Sequence, residues 1–134
     1  MAQLSAAQTA FLRDNPFPAI ATTLRADGSP HSTIVWVDAD ESGVSFNTAR
    51  GRAKDRHLQA DGRISLAVVN PTNSYEWLAI SGTAALTEDG ADAQIDRLAK
   101  KYLGEDVYPW RSPTETRVSV RITPERVDGL GFED

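Results

Sequence analysis

The chain has 134 residues, a formal net charge of -5, a sequence pI near 5.0, 40% hydrophobic and 25% charged residues, and no cysteine. That length suits one domain, residues 1–134, with a real core, and the composition is that of an ordinary globular protein. Missing cysteines exclude disulfides, thiolate nucleophiles and sulfur-ligated metals, and the acidic surface disfavours a nucleic-acid partner.

Polar residues such as Gln3, Ser5, Gln8, Arg13 and Asp14 interrupt the N-terminus, so a secretory signal is not expected there. With no apolar run long enough to span a bilayer, a cytoplasmic protein free of membrane contact is the expectation. Ser5 and Gln8 have the spacing of a capping box, which predicts a short helix ended at Asn15-Pro16. Residues 19–24 read as a strand, Asp27-Gly28-Ser29-Pro30 as a turn, and His31 to Val37 as the returning arm of a hairpin. Alternation sends Ser32, Ile34 and Trp36 to one face of that arm and His31, Thr33, Val35 and Val37 to the other. Neither face is purely apolar, so one is expected to meet a ligand or a partner chain.

Residues 38–43 are expected to form an acidic turn, with Val44 to Ala49 as the third strand of a meander. Next come Arg50, Gly51, Arg52, Ala53, Lys54, Asp55 and Arg56, which place four cations within seven residues of an acidic chain. A strand, a small-residue turn and a helix start expose free backbone N–H groups, so this stretch suits an anion, with phosphate the foremost choice. With a helix beginning near Arg52, Arg52 and Arg56 share a face and Lys54 points elsewhere. Arg52 and Lys54, nearest the helix start, are the better phosphate ligands. Arg50 and Arg56 are left to reach a longer anionic tail or to pair with acidic neighbours.

Residues 64–69 predict a buried strand, and 76–86 another, in which Gly82 marks a bulge or a close backbone approach. Thr87 or Asp89 is the expected cap of a helix through Tyr102, ended by Gly104. Residues 105–116 read as a loop and 117–123 as the last strand, with Val118, Val120 and Ile122 toward the core. Strands joined by short turns, without a βαβ rhythm, predict a mainly β protein: one antiparallel sheet curled into a small barrel with peripheral helices.

His31 and His57 are the chain's two histidines. Lacking spaced partners, each reads first as structural, and neither a zinc site nor an acid–base dyad is expected. Nucleophile elbows, Walker loops and dinucleotide fingerprints are absent, so an enzymatic reaction needs a cofactor to carry the hard step.

Five stretches in order resemble a known family: Asp27–Pro30, Thr48–Leu58, Gly82–Ala84, Lys101–Asp106 and Arg121–Val127. Together they resemble the flavin- and deazaflavin-binding split β-barrels of the pyridoxamine 5'-phosphate oxidase superfamily, and most closely its actinobacterial branch that uses coenzyme F420. The resemblance implies a six- to seven-stranded antiparallel split β-barrel with a few short helices. It also implies a homodimer with two cofactor sites at the interface, each drawing on both chains. In that setting Arg52 and Lys54 hold the cofactor phosphate, and Asn47, Thr48 and the backbone at Ala53 complete the cradle. Ser32, Thr33, Ile34 and Val35 lie along the ring system, while Tyr75 and Trp77 of the other chain wall the pocket. Arg50 and Arg56 are available to the lactyl oligoglutamate tail of F420.

Such a protein is expected to be a reductase that passes a hydride from reduced F420 to an electron-poor small molecule. An FMN-binding flavin reductase or oxidase and a non-catalytic cofactor carrier are the alternatives. His57 stands where many relatives carry Asn. Vitamin B6 oxidation is not expected, because the longer C-terminal segment used for that substrate is missing.

Overall fold

In the computed structural model, which describes residues 2–132, ten elements follow one another: α1 (Ala6–Arg13), β1 (Ala19–Leu24), β2 (Pro30–Val35), β3 (Val37–Asp40), β4 (Gly43–Ala49), α2 (Ala53–Ala60), β5 (Arg63–Asn70), β6 (Asn73–Thr87), α3 (Ala91–Leu103) and β7 (Arg117–Leu130). The seven strands make one antiparallel sheet in the order β2-β1-β5-β6-β7-β4-β3. Its two edge strands, β2 and β3, are separated in sequence by Trp36 alone. A sheet whose opposite edges are one residue apart must curl back on itself, and the result is the expected mainly β split barrel. No helix among the described residues is long and apolar enough to cross a membrane.

Alternation drives the curl. Ile64, Leu66 and Val68 of β5 point inward and are buried, as are Leu78 and Ile80 of β6, and they pack with Val37, Val44, Phe46, Val120 and Ile122 from the other half of the sheet. Helix α1 closes one end with Phe11 and Leu12, after a complete capping box between Ser5 and Gln8.

Four expectations need correction. Residues 38–43 are not all turn, since Val37–Asp40 is a strand paired with β4 and only Glu41 and Ser42 lie between the two. Val37 and Ala39 are buried and so gain enough from packing to extend the strand, while Asp38 and Asp40 face outward. Nor is Val44–Ala49 the third strand of a meander, because it pairs with β3 and β7 rather than β2. The chain leaves one edge of the sheet at Trp36 and begins the other.

The last strand also runs on past Thr123. Pro124 lacks the N–H a regular ladder requires, and the register slips there: Pro124 faces Gly82 but Arg126 faces Ser81. The bulge absorbs Glu125, and Gly82 makes it possible, because a Cβ at position 82 would stand 1.9 Å from the Thr123 carbonyl oxygen. At α3 the N-cap is Gly90 in a left-handed conformation, not Thr87 or Asp89. Thr87 instead accepts from the backbone N–H of Asp89 at 3.1 Å and shapes the turn before the helix.

Candidate functional site

At the seam where β2 and β4 approach without pairing, a cavity of about 190 Å³ is lined by Ile34, Val35, Trp36, Asn47, Thr48, Arg52, Lys54, Tyr108, Trp110 and Arg117, with Ile95 and Leu98 of α3 behind. Arg52 is the N-cap of α2, with extended backbone, and Lys54 lies in its first turn. Because Arg52 stands outside the helix, it reaches the cavity of Lys54 rather than sharing a face with Arg56 as helical spacing predicts. Lys54 Nζ donates to Thr33 Oγ1 at 3.0 Å across the seam. Burial holds the Lys54 ammonium below its ordinary pKa, and the charges of Arg52 and Arg117 add to that.

Arg117 is a cation the linear motif did not include. Though a guanidinium, it is only 6% exposed at the start of β7. Its Nε donates to Asn47 Oδ1 at 2.8 Å, its Nη1 to Glu115 at 2.6 Å, and its guanidinium lies 5.2 Å from the centre of the Tyr108 ring. Glu115 also pairs with Arg52 at 2.6 Å. Burial works to raise the Glu115 carboxyl, but the bonds and charges of Arg117 and Arg52 outweigh it and leave the group below its usual range. Two of the three cations therefore share one carboxylate while Lys54 forms no ion pair among the described residues, and the excess charge is positive. Asn47 is fully engaged, giving its amide N–H groups to the Ala91 carbonyl and Gln94, both at 2.9 Å. Its part is to fix Arg117. Beside it, Thr48 Oγ1 is buried without a hydrogen-bond partner among the described residues, a costly state unless a bound group supplies one.

An aromatic wall covers the other side. Trp36 stacks on Tyr102 at 5.4 Å and 11°, Tyr108 packs edgewise against Trp36, and Trp110 packs edgewise against Tyr108 and tilted by 41° to Trp36. Trp110 is 63% exposed at the mouth. Tyr108 and Trp110 lie outside the expected site, and the sequence places Trp36 only on one face of the hairpin arm; the available signal is the density of aromatics around Pro109 in a segment otherwise read as plain loop. Cations and an unpaired hydroxyl at one end, and flat rings at the other, suit a ligand that joins a phosphate to a planar ring system.

The remaining expected site residues fall elsewhere. Arg50 is paired with Asp55 and Glu88, each at 3.0 Å, which takes the second of its two expected courses. Asp55 in turn accepts from the Gly51 N–H at 2.8 Å and holds the turn before α2. Ala53 and Arg56 line a different cavity with His31 and His57. Ser32 lies on the outer face of β2, opposite Thr22, with Oγ to Oγ1 2.8 Å. Tyr75 and Trp77 sit at the start of β6, away from this chain's own cavity, and Tyr75 is 76% exposed.

Comparison with known proteins places the chain in a family. The model of the family described as pyridoxamine 5'-phosphate oxidase matches residues 4–131. An F420H(2)-dependent biliverdin reductase of Mycobacterium tuberculosis (strain CDC 1551 / Oshkosh) is 32% identical over 130 residues, covering 95% of this chain and 88% of that protein. Among solved structures, an F420 reductase superposes with a TM-score of 0.76 at 24% identity, over 89% of this chain and 94% of the other. A pyridoxamine 5'-phosphate oxidase-like protein from Listeria innocua superposes with a TM-score of 0.68 at 19% identity, over 90% and 93% of the two chains. At these identities the superpositions establish the fold, and the match along almost the whole sequence establishes descent: the chain belongs to the pyridoxamine 5'-phosphate oxidase family.

Proposed function

We propose that this protein is a coenzyme F420-dependent reductase that transfers a hydride from the reduced deazaflavin to an electron-poor small molecule. The observation that carries the reading is the convergence of Arg52, Lys54 and Arg117 on a cavity walled by Trp36, Tyr108 and Trp110. The kinship with a reductase named for that coenzyme selects it over FMN, and makes biliverdin the first substrate to assay.

When bound, the coenzyme supplies a hydride from ring carbon C5, chemistry no side chain of this protein can perform. The chain's own residues bind, orient and shield. Arg52 and Lys54 hold the phosphate, with Thr48 Oγ1 gaining its missing partner there and Arg117 kept rigid by Asn47 and Glu115. The free edge of β2 at Ile34 and Val35 lies along the ring system, and the aromatic wall keeps water from its face.

Two copies complete the site. Ile34, Ile20, Ala67 and Ala79 are direct cross-strand neighbours, so they form one row on the outer face of the sheet. Val69, Trp77 and Leu130 form the next. Ile34 is 64% exposed, Leu130 49% and Ile20 45%, which is an apolar sheet face lacking a cover. Packing a second chain there brings its Tyr75 and Trp77 toward the cavity at the Ile34 edge.

Titration of the protein into F420 and, separately, FMN, read by cofactor fluorescence, tests the proposal. Saturable F420 binding, its loss in Arg52→Ala/Lys54→Ala, and oxidation of reduced F420 by biliverdin or by a panel of quinones, enones and nitroaromatics are expected. Saturable binding of FMN alone selects the flavin reading; tight F420 binding with no turnover selects a carrier; unchanged affinity in the double variant means the phosphate lies elsewhere.

A further inference from the structure

Beyond the Lys54–Thr33 contact lies a second, larger cavity of about 850 Å³, lined among others by Arg25, His31, Arg56, His57 and Arg63. These come from four places: the β1–β2 turn, β2, α2 and the start of β5. Asp61 is the one carboxylate in its lining, and it is clamped on Arg63 at 2.7 Å. Arg25 and Arg56 form no ion pair among the described residues. Backbone carbonyls hold them instead, Pro30 at 2.7 Å for Arg25 and Gly51 for Arg56. A chain with a net charge of -5 thus places two guanidinium groups without an ion-pair partner in the lining of one cavity, where the Asp27 carboxylate that Arg25 feels across the turn is held by Ser29. Like charges so placed repel, and an anion between them relieves the repulsion.

The histidines point the same way. Their rings meet edge to face with centroids 5.2 Å apart. His57 Nδ1 is tied to Thr23 Oγ1 at 2.8 Å, and Thr23 is fully buried. His31 Nδ1 is buried and has no hydrogen-bond partner among the described residues. The His57 imidazole is held below its ordinary pKa by burial first, then by His31 beside it on β2, Arg25 in the hairpin turn, and Arg56 and Lys54 on its own helix. Arg63 and Asp61, the remaining charges of the lining, largely cancel each other.

We propose that this cavity is a second anion-binding site, separate from the Arg52–Lys54 cradle, which takes a multiply charged oxyanion and draws a proton from solvent onto His57 as it binds. The guanidinium groups of Arg25 and Arg56 bind the anion, and its charge offsets the part of the field on the His57 imidazole that comes from these two cations. This site does not depend on the cofactor reading, because none of its cations lines the first cavity. Phosphate-bearing and carboxylate-bearing ligands present the same chemistry to it.

With two histidines in the chain, imidazole NMR resolves each directly. We would titrate the isotopically labelled full chain with sulfate and, in parallel, glutarate, at constant ionic strength made up with chloride. The expected result is a saturable shift of the His31 and His57 signals and a rise of about one unit in the His57 pKa. A stronger response to sulfate identifies a phosphate-type ligand, and a stronger response to glutarate a carboxylate; either supports the site. Arg25→Gln/Arg56→Gln should weaken the response roughly tenfold or more. Both residues are exposed, so folding should survive. The response must persist in Arg52→Ala/Lys54→Ala. Histidine signals unmoved by both anions, or a response abolished by that cradle variant, overturn the proposal.

Discussion

Lys54 Nζ donates to Thr33 Oγ1 at 3.0 Å, and that single contact ties α2 to the edge strand β2. It closes the seam of the barrel and divides two cavities with different residues. Val35 belongs to one side of it and His31 to the other, two residues apart in each direction along the same inward-facing row of β2. The basic stretch therefore serves two places at once.

Arg117 is the cation whose loss should be felt most widely. Arg117→Met removes the partner of Asn47 Oδ1 and one of the two partners of Glu115 in a buried setting. A loss of about 2 to 4 kcal/mol in chemical denaturation is expected, because groups left unpaired cost more than the pair contributes. Lys at this position keeps the charge but not the fork, and should recover only part of the loss.

Gly82 and Gly62 make a matched pair. A Cβ at Gly82 would meet the Thr123 carbonyl at 1.9 Å, whereas at Gly62 the nearest atom, the Ala84 carbonyl oxygen, is 3.6 Å away. Gly82→Ala should cost more than about 4 kcal/mol or leave the chain insoluble, while Gly62→Ala should stay within about 1 kcal/mol of the parent. Thermal melts of the two variants side by side check this.

Ile20 and Ile34 face each other across β1 and β2 on the open side of the sheet. Burying each in a dimer is worth about 2 kcal/mol, and a buried unpaired carboxylate costs more. Ile20→Asp/Ile34→Asp should sediment as a folded monomer. A parent that sediments as a monomer at the same concentration rejects the interface.

Alkaline pH should act through Lys101 and Tyr102. Lys101 donates to the Val37 carbonyl at 2.8 Å, and burial lowers its pKa from 10.5 to about 8 against the opposing pull of Asp38 and Asp14. Tyr102 accepts from the Val37 N–H at 3.0 Å and donates to the Phe17 carbonyl at 2.7 Å; burial raises its pKa from 10.0 to about 12. Between pH 8 and 10.5 the unfolded lysine carries a proton the folded one has released, so stability rises with pH. Tyrosine works oppositely: its contribution is whole below pH 10.0 and is lost as pH rises through about 12. Denaturation midpoints should therefore peak near pH 10, and Lys101→Met should diminish the rise below it. Lys54, also lowered by burial, contributes in the same sense and keeps part of the rise.

Whatever depends on neighbours in sequence was legible without a structure. The Ser5–Gln8 capping box, the Asp27–Pro30 turn and the need for glycine at position 82 all follow from backbone sterics and side-chain period. By contrast β5, read as a buried strand, is buried on one face only and exposes Ser65, Ala67 and Val69. The concentration of four cations at a helix start was legible too, but not their division. Helix pitch groups Arg52 with Arg56, whereas the extended N-cap backbone of Arg52 sends it to the cavity of Lys54 and leaves Arg56 in the other. Tertiary structure decided which strands pair, because registers between residues far apart depend on burying two faces at once. It carried β4 away from β2 to β7, and brought Arg117 to Asn47 across seventy positions of sequence. It also set His31 beside His57, two residues without local partners that read singly as structural and that only the curl of the sheet makes a pair.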